Sequence, residues 1–483
     1  MSNNSILLIC LSGYLLLLII LGLIANKKRE SNSLKDFYLA GGGLGTFVLL
    51  LTLYATQYSA NTMLVTPAEV VSKGMGMILV LGYMTAIVVF YLTFAPQLFT
   101  ISKSQNFITP GDWFDYRFGS KALTLIANGI LVIVSVNFLL SQLMAMGHIT
   151  TGLTGGEVPY WAGVVFLAFV VIIYESLGGM RAVAWTDVLQ GIMIFVGLIG
   201  IFFVVVPGTD ELTEISTWLI ANEPEKIGVP TTDFQIYWIS TVLMIGVAGA
   251  VYPQVIQRIY AAKSAKSLKR SLGAMVFVPL LTVLILFLLG VISIPYFAGN
   301  PAVSNDTVLP EMLRIWGERS SFAFAMTVLV ILGLLAAIMS TADSVLLSLS
   351  SIVAKDIFGK SILKNAPEEK LTKSGKIFSW VAMFVMVLIA LQPKITLWGL
   401  IELKMQILIQ IAPLFLLGVH SRRVNGQGMI WGISVGTLFS LVAFFMGKNT
   451  LFGIHSGLIA FGINCFLCFL MSSFYSKRAS KSI

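Results

Sequence analysis

Read for its apolar and polar positions, the chain is a succession of apolar runs with short polar stretches between them. Runs of about 20 residues are long enough to cross hydrocarbon as helices, so the pattern predicts an all-α polytopic membrane protein with about thirteen transmembrane helices. The first runs from Ile6 to Ala25. The others lie near residues 44–71, 76–99, 121–149, 158–175, 182–206, 237–261, 271–295, 321–355, 375–392, 396–419, 427–446 and 451–473.

Three runs break the apolar pattern. In the first, Thr52, Thr56, Gln57, Tyr58, Ser59, Asn61 and Thr62 precede Pro67, and each would lose hydrogen bonds to water in lipid. Such a segment faces protein or a water-filled cavity, either as a helix broken around a binding site or as a kinked packing helix. Five spans later, Gly246, Gly249, Tyr252, Pro253, Gln254 and Gln257 interrupt the run 237–261. Two interrupted segments in corresponding places are the expected trace of inverted repeats around a midplane site, a geometry that transporters need. In the third run Ala337, Ser340, Thr341 and Ser344 recur at helical spacing, so hydroxyls converge on one face. Hard oxygens of this kind suit a hard cation such as sodium; the plainer alternative is hydroxyls bonded to carbonyls one turn earlier.

Charge gives the runs an orientation. Basic residues cluster in alternate loops: Lys27, Lys28 and Arg29; Lys103, Arg117 and Lys121; Arg181; Arg258, Lys263, Lys266, Lys269 and Arg270; Lys355, Lys360, Lys364 and Lys376; Arg422 and Arg423; Lys477, Arg478 and Lys481. These read as cytoplasmic. The loop 207–233 carries Asp210, Glu211, Glu214, Glu223 and Glu225 and reads as external; Arg314, Arg319 and Lys394 are the exceptions. The N-terminus is therefore expected outside and the C-terminus in the cytoplasm, in a multi-pass protein of the cell (inner) membrane. The loop 105–120, with Pro110, Trp113 and Phe114, reads as a turn plus a short amphipathic interfacial piece.

Composition agrees. With 57% hydrophobic residues, 11% charged residues and a mean hydropathy of +0.90, the 483 residues carry too few charges to cover a soluble surface. The net charge of +9 sits in short clusters beside apolar runs, where it anchors to the lipid bilayer, so no nucleic acid is expected. Cys10, Cys465 and Cys468 lie in apolar runs and read as inert thiols. His148, His420 and His455 are scattered, and no nucleophile, base and orienting group recur together, so the chain does not read as an enzyme.

Charged side chains inside the runs need a reason, since each costs at least about 2.5 kcal/mol unless paired, hydrated or ion-bound. Asp343 is one. Asp187 is another, with contact to Arg181 or to cytoplasmic water as its plain alternative. Glu402 and Lys404 stand two residues apart and point to different helix faces. Lys404 is expected to receive a solute carboxylate, to pair with Glu69, or to snorkel to the interface. The solute itself is expected between the two interrupted segments, against Gln57, Ser59, Asn61 and the backbone near Gly249 and Pro253.

From Phe37 to about residue 420 the chain resembles the sodium:solute symporters. The motifs are Gly178-Gly179 followed by Ala184-Trp185-Thr186-Asp187 and Gln190, the entry from Phe37 to Gly42, Pro253-Gln254 with Arg258, and Ala337 to Thr341. The resemblance implies a five-plus-five inverted-repeat core of the LeuT-like type. It divides the chain into an extra helix and loop (1–43), a first repeat (44–206), an acidic loop (207–236), a second repeat (237–420) and two further helices with a basic tail (421–483).

It also implies sodium as coupling ion, held by carbonyls of Ala55, Tyr58 and Ala337 and hydroxyls of Ser340 and Thr341. A second cation site is implied at Asp187, Asp343 and Ser344. The function implied is sodium-coupled import of a small organic solute such as a carboxylate, an amino acid or a vitamin-like compound; the alternative is a membrane sensor signalling through a separate partner. Two departures narrow the solute. Gln57 stands where proline transporters carry aspartate, and Ile245 and Gly249 where they carry aromatics; Ala122 to His148 lacks the arginine of sialic acid transporters.

Overall fold

The computed structural model describes residues 3–28, 33–205, 209–299, 307–363, 366–392 and 395–480. Arg29, Lys364, Lys394 and Lys481 of the charge pattern lie outside the described residues, as do the side chains of Asn61, Asp210, Glu211, Lys477 and Arg478.

The first elements are α1 (Asn3–Lys27), α2 (Leu34–Leu39), α3 (Thr46–Gln57), α4 (Ala60–Lys73), α5 (Leu81–Gln105), α6 (Pro110–Phe118), α7 (Lys121–Leu153) and α8 (Tyr160–Val205). The acidic stretch folds as α9 (Thr209–Asn222) and α10 (Pro224–Ile227) rather than as open loop. Then come α11 (Thr232–Gly249), α12 (Pro253–Ala261), α13 (Ala265–Ala274), α14 (Val278–Phe297), α15 (Val308–Gly317) and α16 (Ser321–Ser351), which runs on as a π-helix to Ile362. The chain ends with α17 (Glu368–Ala390), α18 (Leu397–Leu408), α19 (Ala412–His420), α20 (Gly426–Phe445) and α21 (Ser456–Ser480). A two-residue β-ribbon, Thr450–Leu451 with Ile454–His455, joins α20 to α21.

Among the described residues nine helices are long and apolar enough to cross a membrane, or ten with α11 and α12, bent by 48°, taken as one span. Three shorter apolar helices cover Ser12–Ala25, Thr46–Gln57 and Tyr160–Ile173. A count of thirteen requires these three to cross as well.

Apolar side chains on the outside, among them Phe47, Leu125, Phe169, Phe203 and Phe445, are more than half exposed. A hydrocarbon solvent makes that arrangement favourable. The centre is α16, buried at every position from Gly333 to Ala354. It packs most extensively on α8, which bends at Gly179. There φ is +57°, and a Cβ would stand 2.4 Å from the Phe37 carbonyl oxygen. The Gly178-Gly179 motif is thus a backbone requirement: the left-handed turn and the close approach of α2 both exclude a side chain.

The segment read as an interfacial piece is a clamp instead. In α6 Trp113 and Phe114 are buried, Trp113 donates its indole N–H to the Leu414 carbonyl (2.9 Å), and Arg117 donates to the carbonyls of Gly418 and Ser421 (both 2.7 Å). Asp112 meets Lys355 at 2.5 Å, and Lys360 bridges Asp115 (2.5 Å) and Asp356 (2.8 Å). Burial opposes the Asp112 charge, but the Lys355 ammonium and the N–H groups of Ile108 (2.7 Å) and Thr109 (3.0 Å) outweigh it and hold the carboxyl below its ordinary range.

We predict that Asp112→Asn lowers stability by about 1–3 kcal/mol at neutral pH, read as a lower unfolding temperature of the purified protein. Because the folded-state value is depressed, the contribution is complete above about pH 4 and is lost as pH falls through the lowered value. Parent and variant should therefore converge in acid; a gap that persists there would contradict this assignment.

Candidate functional site

The polar stretch 52–67 is a broken helix. The Tyr58 N–H closes on the Tyr54 carbonyl (3.1 Å), Tyr58 and Ser59 leave helical dihedrals, and α4 begins at Ala60. Two buried tyrosines fix the break to α14: Tyr54 bonds Thr282 (2.8 Å), and Tyr58 donates to the Pro279 carbonyl (2.6 Å). The second interruption is also a break, with Ala250–Tyr252 between helices and Pro253 opening α12, where its missing N–H costs nothing.

The hydroxyl face of α16 meets the first break. Thr341 donates to the Thr56 carbonyl at 3.4 Å, and the hydroxyls of Thr56 and Ser344 lie 3.2 Å apart. Among the described backbone hydrogen bonds outside regular helix, none ends on the carbonyls of Ala55 or Tyr58. Ser340 donates to Asp187 (2.5 Å). A hydroxyl that donates its proton keeps lone pairs for a cation, so Ser340 and Thr341, beside the broken turn, are oxygens of the kind sodium takes.

Asp187 does not meet Arg181, which pairs with Asp36 at 2.9 Å. It is fully buried against Arg258, which the charge pattern had placed in a cytoplasmic loop and which is fully buried on α12. Arg258 Nη2 lies 3.0 Å from Asp187 Oδ2 and donates to Ser344 Oγ at 2.6 Å. Its Nε donates to Thr52 Oγ1 and its Nη1 to the Gln254 carbonyl, both at 3.0 Å. Thr52 in turn donates to Asp187. Such saturation is what a buried ion pair requires, because an unpaired charge there costs several kcal/mol.

Asp343, expected to join Asp187 and Ser344, is buried on α16, yet neither of its oxygens has a hydrogen-bond partner. Asp187 and Ser344 share Arg258, whereas no hydrogen bond joins Asp343 to either.

A cavity adjoins the first break. Gln57, Ser59, Glu69 and Lys404 supply polar groups, and Phe138, Trp238, Tyr252 and Trp398 supply aromatic walls. Gly249 and Pro253 do not line it: Gly249 packs on Ile87, and Pro253 is buried at the start of α12. Lys404 neither snorkels nor pairs with Glu69. It is 2% exposed, its ammonium lies 3.4 Å from the Phe138 ring centre and 5.5 Å from that of Tyr252, and Glu69 pairs with Lys73 at 2.5 Å. Glu402 turns the other way and accepts from Tyr237 (2.8 Å) and Asn449 (3.0 Å).

Residue patterns named Arg258 and Thr52 without joining either to Asp187, and missed the aromatic walls. Arg258 carried a signal, since it is a lone cation in the apolar stretch after Pro253. The walls carried none, because aromatic residues are frequent throughout the apolar runs.

Comparison with known proteins agrees with this architecture. Residues 37–436 match the model of the sodium:solute symporter family. The chain is 26% identical to the osmoregulated proline transporter OpuE of Bacillus subtilis, across 98% of this chain and 96% of that protein. It is 24% identical to the sodium/sialic acid symporter SiaT of Proteus mirabilis, across 90% and 88%. The solved structure of a sodium-coupled sialic acid symporter in a substrate-bound outward-open state superposes with a TM-score of 0.79 at 19% identity, covering 98% of each chain, and shares the LeuT-like fold. The broken helices, the buried polar face of α16 and the family match lead to one conclusion: this multi-pass membrane protein belongs to the sodium:solute symporter family and is a transporter, not an enzyme, with sodium as its coupling ion.

Proposed function

We propose that the protein imports a small carboxylate-bearing solute with a compact apolar body, driven by sodium held at Ala55, Tyr58, Ala337, Ser340 and Thr341. The observation that carries the reading is the meeting of the α3 break with the hydroxyl face of α16, where the Thr341 hydroxyl lies 3.4 Å from the Thr56 carbonyl. Carbonyls released by a break and hydroxyls one helix away are the oxygen set a sodium ion takes. The N-terminus lies outside and the C-terminus in the cytoplasm, a reading supported by the basic clusters of alternate loops.

The solute sits against Gln57, Ser59 and Lys404, with Asn61 as a further contact. The Lys404 ammonium is held over two rings and has no carboxylate partner among the described residues. A buried cation facing a cavity favours an anionic group in its ligand. The aromatic walls favour an apolar body beside it. Relatives that carry proline or sialic acid also move carboxylates, which supports the class while leaving the side group to this cavity.

Two experiments test the reading in proteoliposomes. Ser340→Ala with Thr341→Ala should raise the sodium concentration for half-maximal uptake by tenfold or more, two lost ligands each being worth about 1 kcal/mol. Uptake indifferent to sodium in the parent, or unaltered in the double variant, would contradict it. Lys404→Gln should weaken solute affinity by about tenfold or more and leave the sodium requirement in place. Unchanged affinity would remove Lys404 from the solute site.

A further inference from the structure

At the basic end of α1 lies a groove that neither the sodium site nor the solute cavity uses. Lys28, Leu44, Gly45, Val48, Arg181 and Trp185 line it, drawn from the end of α1, the entrance of α3 and the stretch of α8 that follows its bend. The Lys28 ammonium stands 5.1 Å from the centre of the Trp185 ring. Arg181 donates to the Lys28 carbonyl and pairs with Asp36 at 2.9 Å. We propose that this groove seats the phosphate of an anionic phospholipid of the cytoplasmic leaflet, with an acyl chain laid along α1. The proposal takes from the reading above only the leaflet that the groove faces.

Charge is the first argument. No acid lines the groove, and Asp36 offsets Arg181 alone. Lys28 is exposed and has no carboxylate partner among the described residues. Exposed Lys27 precedes it, and exposed Lys263 donates its backbone N–H to the Leu44 carbonyl at 2.8 Å. Three lysines thus belong to one corner of the molecule, and basic grooves between helices on the cytoplasmic side attract lipid phosphates. In the same corner α3 opens on Gly45, an N-cap that offers no side-chain acceptor to the first N–H groups of the helix.

The second argument is the apolar surface that leads to this charge. Leu16, Ile20, Ile24 and Lys28 follow one another at one-turn spacing, and the three apolar members are 59%, 42% and 40% exposed. At a helical rise of about 1.5 Å per residue the stripe measures about 18 Å, close to half of the about 30 Å hydrocarbon thickness. Trp185 at its head is the residue type that settles at headgroup depth. A free phosphate ion would use the cations and leave the stripe idle. A phospholipid uses both.

The test is thermal unfolding of the purified, delipidated protein in neutral detergent, titrated with dioctanoyl-phosphatidylglycerol, dioctanoyl-phosphatidylcholine or sodium phosphate. Phosphatidylglycerol should raise the unfolding temperature saturably, and the other two should not at equal concentration. Lys28→Gln should raise the half-saturating concentration about fivefold. Gly45→Phe should abolish the shift while keeping every charge: Gly45 has an ordinary φ of −73°, and a Cβ there meets nothing within 4 Å, so the ring enters the groove without backbone strain. Arg422→Gln/Arg423→Gln removes an exposed basic pair that does not line the groove and should leave the titration unchanged. Should Gly45→Phe fail to fold, Lys28→Gln against the Arg422/Arg423 variant decides. No shift with phosphatidylglycerol, an equal shift with phosphatidylcholine or with phosphate alone, a full shift in folded Gly45→Phe, or equal effects of the Lys28 and Arg422/Arg423 variants would overturn the lipid site. Each of these results leaves the sodium reading standing, since none depends on sodium.

Discussion

One buried ion pair and its hydrogen bonds join four helices of this transporter. Asp187 on α8 and Arg258 on α12 meet at 3.0 Å, with Thr52 of α3 and Ser340 and Ser344 of α16 completing their hydrogen bonds. Removing either charge leaves the other buried and unpaired, whereas the intact pair is neutral and hydrogen-bonded. The pair thus constrains how α3, α8, α12 and α16 can move relative to one another. Those helices also carry both breaks and the hydroxyl face, so movement and ion binding act on the same side chains.

The breaks depend on different supports. At the first, Tyr54 and Tyr58 use their hydroxyls to fasten the unwound turn to α14, and among the described backbone bonds outside regular helix none consumes the carbonyls of Ala55 and Tyr58. At the second, a proline opens α12, and the Tyr91 hydroxyl donates to the Val255 carbonyl in its first turn at 2.8 Å. Close to the far end of α12, Leu44 exchanges backbone bonds with Ala261 (3.0 Å) and Lys263 (2.8 Å). Backbone bonds thus tie the entrance of α3 to the exit of α12, and the ion pair ties them again at depth.

Much of this was legible in the residues, because lipid is an unforgiving solvent. Thr52 to Thr62 could not sit in hydrocarbon as a plain helix, and the break at Tyr58 follows. Ser340, Thr341 and Ser344 share a helix face, and that face meets the break. Long-range partnership was not legible. Asp187 could have met any cation at its depth, and only the packing of α12 on α16 selects Arg258 over Arg181, which Asp36 claims. Gly249 and Pro253 mark a break beside the cavity, which their neighbour Tyr252 lines, while Gly249 itself packs against Ile87. The segment 105–120 shows the same limit. Its aromatic residues suggested a headgroup position, while its acids and Arg117 close a network onto Lys355, Lys360 and the end of α19.

The central claim is that one sodium ion joins the α3 break to the hydroxyl face of α16. Hydrogen–deuterium exchange of the purified protein in sodium and in potassium tests it most directly, because a bound ion lowers the frequency of local opening in every segment that ligates it. The account predicts that sodium, but not potassium, slows exchange at residues 55–62 and 337–344 together, with the same half-saturating concentration for both. Equal exchange in the two salts, or protection of one segment without the other, would contradict it.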